Sequence, residues 1–175
     1  MESGHISDLA PWVFLQPGEL FTGDAPARVK TVLGSCVAIL MRIPRAGTAA
    51  MAHCLLPEAG ASADALPRRL ALRFVDTTVE LMLRALAARG ARPGELEVKL
   101  FGGAGRIYAP GVPLAMRVGQ RNVETALAEL AARGLTVVAR SVGGECGRLI
   151  EFDTATGAVR VKVLPPPGAG FGEAP

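Results

Sequence analysis

The chain has 175 residues, with 19 Lys or Arg against 16 Asp or Glu and a net charge of +3. Half of it is apolar and 20% is charged, which excludes a disordered chain and suits one domain whose core stands without disulfide staples. The basic residues are mostly spread singly, and one Trp and one Tyr leave little for base stacking, so nucleic-acid binding is not expected.

The first ten residues are expected to be flexible. WVFLQPGELF, Trp12 to Phe21, reads as a short strand broken at Pro17-Gly18, and Arg28 to Leu33 as a second strand ending in Gly34-Ser35. Cys36 to Ile43 and Thr48 to Leu56 are apolar throughout, the pattern of strands covered on both faces, with PRAG as the turn between them. After a loop rich in Ala, Gly and Pro, a helix is predicted from Pro67, capped by Asp64, to about Arg89. Its apolar face reads as Leu70, Phe74, Leu81, Ala85 and Ala88, and Gly90 is its stop. LEVKLF, Leu96 to Phe101, is a strand that runs into Gly102-Gly103. Asn122 is predicted to cap a second helix, with Val123, Ala126, Leu127 and Leu130 inward and Gly134 as its stop. LAARG thus occurs at two helix ends, from Leu86 and from Leu130, and no solenoid period accompanies it. Thr136 to Val142 is a further strand ending in Gly-Gly, and RLIEF with AVRVKVL forms a closing hairpin across DTATG.

These elements predict a single α+β domain over residues 11–164, layered, with mixed β-sheets or a β-sandwich flanked by two helices. Residues 165–175 form a Pro/Gly-rich tail expected to be flexible.

Three cysteines cannot all pair, and neither a secretory signal pattern nor a membrane span of ~20 apolar residues is found. A reducing cytoplasm is the expected compartment, without membrane insertion. There an odd cysteine count reads as catalytic, metal-binding or buried. Cys36 sits at the mouth of the Gly34-Ser35 turn, beside backbone amides, where reactive thiols tend to lie. Of the two histidines, His5 lies in the N-terminal segment, which leaves His53 as a base for it. A hairpin centred on Pro44-Arg45, with Ile43 facing Ala46, puts Cys36 directly opposite His53, with Cβ atoms ~4.5–5.5 Å apart. Alternation points Cys54 to the other face.

A thiol beside an imidazole is expected to have a lowered pKa and to act as a nucleophile, with the imidazole protonating the leaving group. Amides around Gly34, Ser35 and Cys36 are candidates for an oxyanion, and Gly102 and Gly103 for a substrate groove. The residues alone leave open an inert buried cysteine beside a core histidine, and a metal site of Cys36, His53 and Cys146. The metal reading lacks CxxC and HxE spacing, so no metal is expected. FGGAGR is neither GxGxxG nor a P-loop, so a nucleotide is not expected.

LQPGELF, TVLGSCVAIL, MAHCLLP, KLFGGAGR, GQRNVE, SVGGECGR and FDTATGAVRVK follow in this order from Leu15 to Lys162. Together they closely resemble the CheD family of chemoreceptor glutamine deamidases. The resemblance implies cofactor-free hydrolysis of selected glutamine side chains, and of glutamyl methyl esters, on the cytoplasmic helices of chemoreceptors (methyl-accepting chemotaxis proteins). It implies Cys36 as nucleophile and His53 as catalytic histidine. The family's third member is an upstream threonine, which some relatives place six residues before the cysteine, where this chain has Lys30. Thr31 lies five before, on the opposite face of the strand, and is taken as the partner that orients His53. The resemblance further implies a fold similar to cytotoxic deamidase toxins and, where one is present, a CheC-type phosphatase partner. Two rivals accompany it: a non-catalytic adaptor on the same scaffold, and a redox sensor using Cys36 and Cys54.

Overall fold

Two adjoining apolar strands, β4 (Val37–Ile43) and β5 (Thr48–Cys54), set the architecture, because every residue of both is buried. The computed structural model describes residues 10–105 and 117–165, so the two expected flexible ends lie almost wholly outside the described residues. Side chains alternate between the faces of a strand, so burial along a whole strand requires cover on both sides.

Both covers are present. β4 and β5 lie inside a sheet of order β2-β5-β4-β6-β7, with β2 (Leu20–Asp24), β6 (Glu97–Gly102) and β7 (Val137–Val142). A second sheet has the order β1-β3-β8-β9, with β1 (Trp12–Phe14), β3 (Arg28–Leu33), β8 (Arg148–Asp153) and β9 (Val159–Val163). Each sheet is mixed: β1–β3 and β6–β7 are parallel pairs among antiparallel ones. Ala38, Leu40, Ala49 and Met51 pack against Val29, Leu33, Ile150 and Phe152 between the two sheets. Val37, Ile39, Ala50, Ala52 and Cys54, on the other face, pack beneath α2 (Val75–Ala87) and α3 (Val118–Ala132). Burying each larger aliphatic side chain here contributes about 1.5–3 kcal/mol over leaving it in water. The outcome is an α+β arrangement of three layers: sheet, sheet, helices.

The helices depart from the sequence expectation in three ways. The single helix predicted from Pro67 to Arg89 is divided into α1 (Arg68–Ala71) and α2, so there are three helices among the described residues and not two. Phe74 between them is extended, with φ −108° and ψ 141°. The chain leaving β5 claims this segment: Leu55 and Leu56 donate their N–H groups to the Arg73 carbonyl, and Val75 donates to that of Leu56. Tertiary pairing here overrides helix propensity. The helix then restarts at Val75 with a new phase, so Val75, Val79, Met82 and Leu86 face the core in place of Leu81, Ala85 and Ala88. Asp64 caps nothing; it lies in a 3₁₀ turn, Gly60–Ala65, and Pro67 precedes α1. Asn122 is no cap either, since α3 starts at Val118 and Asn122 lies a turn inside it. Gly90 and Gly134 follow α2 and α3 with φ of 85° and 69°, as helix stops. No helix among the described residues is long and apolar enough to cross a membrane.

β6 is held close to the start of β4 by glycine. Gly102 has φ 103°, and a Cβ added there would lie 2.3 Å from the Cys36 carbonyl oxygen. Gly102→Ala is therefore expected to lower the unfolding free energy by about 1–3 kcal/mol, read as a fall in denaturant midpoint. An unchanged midpoint would contradict this close approach.

Candidate active site

His53 is buried (2% exposed) on β5, on the face that looks at the other sheet, and Thr31 on β3 looks back at it with no exposure. Thr31 Oγ1 lies 2.8 Å from His53 Nδ1 and 2.7 Å from the Leu15 carbonyl oxygen. A hydroxyl has one proton to give, and a carbonyl can only accept, so Thr31 donates to Leu15. Its oxygen then accepts from His53, which assigns the ring proton to Nδ1 and leaves a bare lone pair on Nε2. Nε2 is buried and has no hydrogen-bond partner among the described residues. Burial pushes the His53 pKa down to about 4, against the raising influence of the Leu15 carbonyl and of Glu19. The imidazole is thus neutral at ordinary pH.

Cys36 does not stand directly opposite His53. The hairpin closes with Ile43 opposite Thr48, a register two residues away from the predicted one, so Ala38 faces His53. The reason is the turn: Gly47 takes φ 69°, and the N–H groups of Ala46 and Gly47 both reach the Ile43 carbonyl, which makes a loop of Pro44, Arg45, Ala46 and Gly47. An odd slip would send Cys36 to the helix side, whereas an even one keeps it on the His53 face. Cys36 accordingly packs with the inter-sheet core, diagonal to His53, a relation with a usual spacing of ~7–8 Å. Its half-buried thiol has a raised pKa, from burial first, partly offset by its own backbone N–H. The expected thiolate–imidazolium pair is replaced by a neutral thiol and a neutral base.

Several neighbours hold the Cys36 segment in place. Gly103 donates its N–H to the Cys36 carbonyl (2.7 Å) and Ala104 to that of Gly34 (2.8 Å), while Asn122 Nδ2 donates to that of Ser35 (3.0 Å). The Gly103 amide is therefore engaged with the cysteine's own backbone. Gly34 and Ser35 are exposed and border a cleft of about 460 Å³ that also reaches Ala104, Gly105 and Glu145. Arg148, 8% exposed, donates to the carbonyls of Gly102 (3.3 Å) and Gly143 (2.6 Å), tying the two Gly-Gly loops together.

Sequence reasoning missed both Arg148 and the placement of Asn122. Their signal was present: each puts a polar side chain at an inward position, Arg148 in register with Ile150 and Phe152, Asn122 one turn before Ala126. Cys54 lies in the helix-side core, with its thiol pushed up to about 12 by burial. It faces away from His53, and Cys36, Cys54 and Cys146 are all free thiols. Among the described residues no three His, Cys, Asp or Glu come together as metal ligands, so Cys36, His53 and Cys146 do not form such a group.

A profile of the family described as "CheD chemotactic sensory transduction" matches residues 55–163, beginning two residues beyond His53. A probable chemoreceptor glutamine deamidase CheD of Maridesulfovibrio salexigens is 43% identical over 155 residues, 87% of this chain and 91% of its own. The probable chemoreceptor glutamine deamidase CheD 2 of Geobacter sulfurreducens is also 43% identical, over 158 residues, 88% of this chain and 91% of its own. The protein of the same name in Albidiferax ferrireducens is 38% identical over 161 residues, 92% of each chain.

The buried imidazole makes stability depend on pH. An unfolded chain titrates His53 near the ordinary 6.5 and the folded one near 4, so between these values the unfolded state binds more protons. Folding stability from this residue is fully present above pH 6.5 and is lost as pH falls towards 4. Chemical denaturation across that window should show a steeper loss for the wild type than for His53→Gln; parallel profiles would contradict the burial of a neutral imidazole.

Proposed function

The chain belongs to the CheD family, and from that premise we propose that it is a chemoreceptor glutamine deamidase whose reaction runs through Cys36 and His53. One observation carries the chemistry. A half-buried thiol shares a face with a buried neutral imidazole, whose Nδ1 is engaged by Thr31 and whose Nε2 lone pair has no partner among the described residues.

Attack and deprotonation then occur together. Cys36 Sγ bonds to the δ-carbon of a glutamine side chain as its proton passes to His53 Nε2, and the carbonyl electrons move onto oxygen. Rotation of the Cys36 side chain in the substrate complex closes the diagonal gap; catalytic hydrogen bonds are commonly loose before substrate arrives. As the tetrahedral species collapses, the C–N bond breaks and His53 gives its proton to the departing ammonia. Water next attacks the thioester, again losing a proton to His53, which returns it to sulfur as glutamate is released. A glutamyl methyl ester follows the same course with methanol leaving. Thr31 holds the ring in the tautomer that this cycle needs, and the Cys36 N–H is the donor nearest the developing oxyanion.

Each turnover replaces a neutral amide with a carboxylate. On packed receptor helices in the cytoplasm, an added like charge repels its neighbours and shifts the bundle between states. The cleft beside Gly34 and Ser35, which lie next to Cys36 in the chain, supports the approach of such a helix from that side. A CheC-type phosphatase partner, and a fold akin to cytotoxic deamidase toxins, belong to the same reading.

Mass spectrometry of a receptor cytoplasmic fragment, with an ammonia assay alongside, tests this. Wild-type protein should convert particular glutamines to glutamate. Cys36→Ala should fold and release no ammonia, and His53→Ala should lose a factor of ~10²–10⁴ or more. Undiminished release from Cys36→Ala would remove the thiol from the mechanism.

A further inference from the structure

Asn122 is fully buried and uses its side-chain amide in an unusual way. Nδ2 gives one hydrogen bond to the Ser35 carbonyl and one to the Leu55 carbonyl, each at 3.0 Å, while Oδ1 is buried with no partner among the described residues. One side chain on α3 thereby joins the residue before Cys36 to the chain two residues past His53. A buried carbonyl oxygen without a donor is costly, and an apolar residue would fill the space without it. Such a violation of core rules marks a position kept for something other than stability.

The geometry points to the purpose. Ser35–Cys36 is a trans peptide, since the only cis bond among the described residues is Ala25–Pro26. In a trans peptide the C=O and the following N–H point in opposite directions. Asn122 holds the Ser35 carbonyl towards α3, so the Cys36 N–H points away from α3, to the side of the sheet where His53 lies. Among the described residues that N–H donates to no backbone carbonyl. Gly103 fixes the next peptide from the other side by its bond to the Cys36 carbonyl.

We propose that Asn122 is a positioning residue for the reaction: it locks the Ser35–Cys36 peptide so that the Cys36 amide is aimed at the oxyanion of the tetrahedral intermediate. The inference rests on the deamidase reading above and adds to it a residue on a different element, more than 80 positions away in sequence. It does not assign Asn122 any contact with substrate.

Two reactions of the same thiol separate positioning from mere structural support. Deamidation passes through an oxyanion; alkylation of Cys36 by iodoacetamide displaces iodide at a methylene carbon and needs none. In Asn122→Ala, kcat for ammonia release from a receptor fragment should fall by ~10-fold or more, towards the ~10²–10³ seen when an oxyanion donor is lost. KM and the rate of Cys36 alkylation should stay close to wild type. Should Asn122→Ala not fold, Asn122→Leu, which fills the space without a donor, takes its place with the same expected split. Alkylation and kcat falling together, or kcat unchanged in a folded variant, would overturn the assignment while leaving the deamidase reading intact. A wild-type protein that releases no ammonia would overturn both.

Discussion

The hydrogen bond between Thr31 and His53 is the interaction on which the rest depends, because it crosses from one sheet to the other beside a cluster of apolar side chains. Neither residue is exposed enough for water to substitute, and each unsatisfied buried polar group would cost on the order of 1–3 kcal/mol. The Leu15 carbonyl completes the chain by accepting the hydroxyl proton. With that proton placed, the ring tautomer follows, and with it the direction of the free lone pair. A sandwich of two sheets is therefore more than a scaffold here. It brings a threonine from one layer to a histidine of the other, at a spacing that neither sheet could supply by itself.

Charge is absent from this centre at rest. Burial raises the Cys36 pKa and lowers that of His53, so both groups prefer to be neutral. A thiol held in this way resists adventitious oxidation and alkylation better than a standing thiolate would. In the proposed reaction, reactivity depends on proton transfer at the moment of attack, and on donors already aimed at where negative charge will appear. Those donors are held by backbone contacts. Gly103, Ala104 and Asn122 bind three successive carbonyls of the Gly34–Cys36 segment, and Arg148 fastens the glycine loops behind it.

Much of this was legible in the chain, at the level of elements. β3 was read over its observed span, Arg28–Leu33, and β4 and β5 to within two residues, because runs without polar interruption belong to strands covered on both sides. The even spacing that keeps Cys36 and His53 on one face was legible too, and so was the inward direction of Thr31. Register was not. It turned on whether Gly47 joined the turn in a positive-φ conformation, and a PRAG sequence permits hairpins of more than one length. Helix phase failed for a related reason. Phe74 fits a helical face by spacing, yet the chain after β5 draws its neighbours into extended pairing. Such choices are made by distant segments, and no local pattern records them.

The central claim is that His53 is a neutral base protonated on Nδ1, with Nε2 free for the thiol. Long-range proton–nitrogen NMR of the histidine rings in the full chain reads this directly, with His53→Gln used to assign the signal. At neutral pH the account predicts a proton on Nδ1 and none on Nε2, and a shift of the Nδ1 resonance in Thr31→Val. A ring protonated on both nitrogens, or on Nε2 alone, would contradict it.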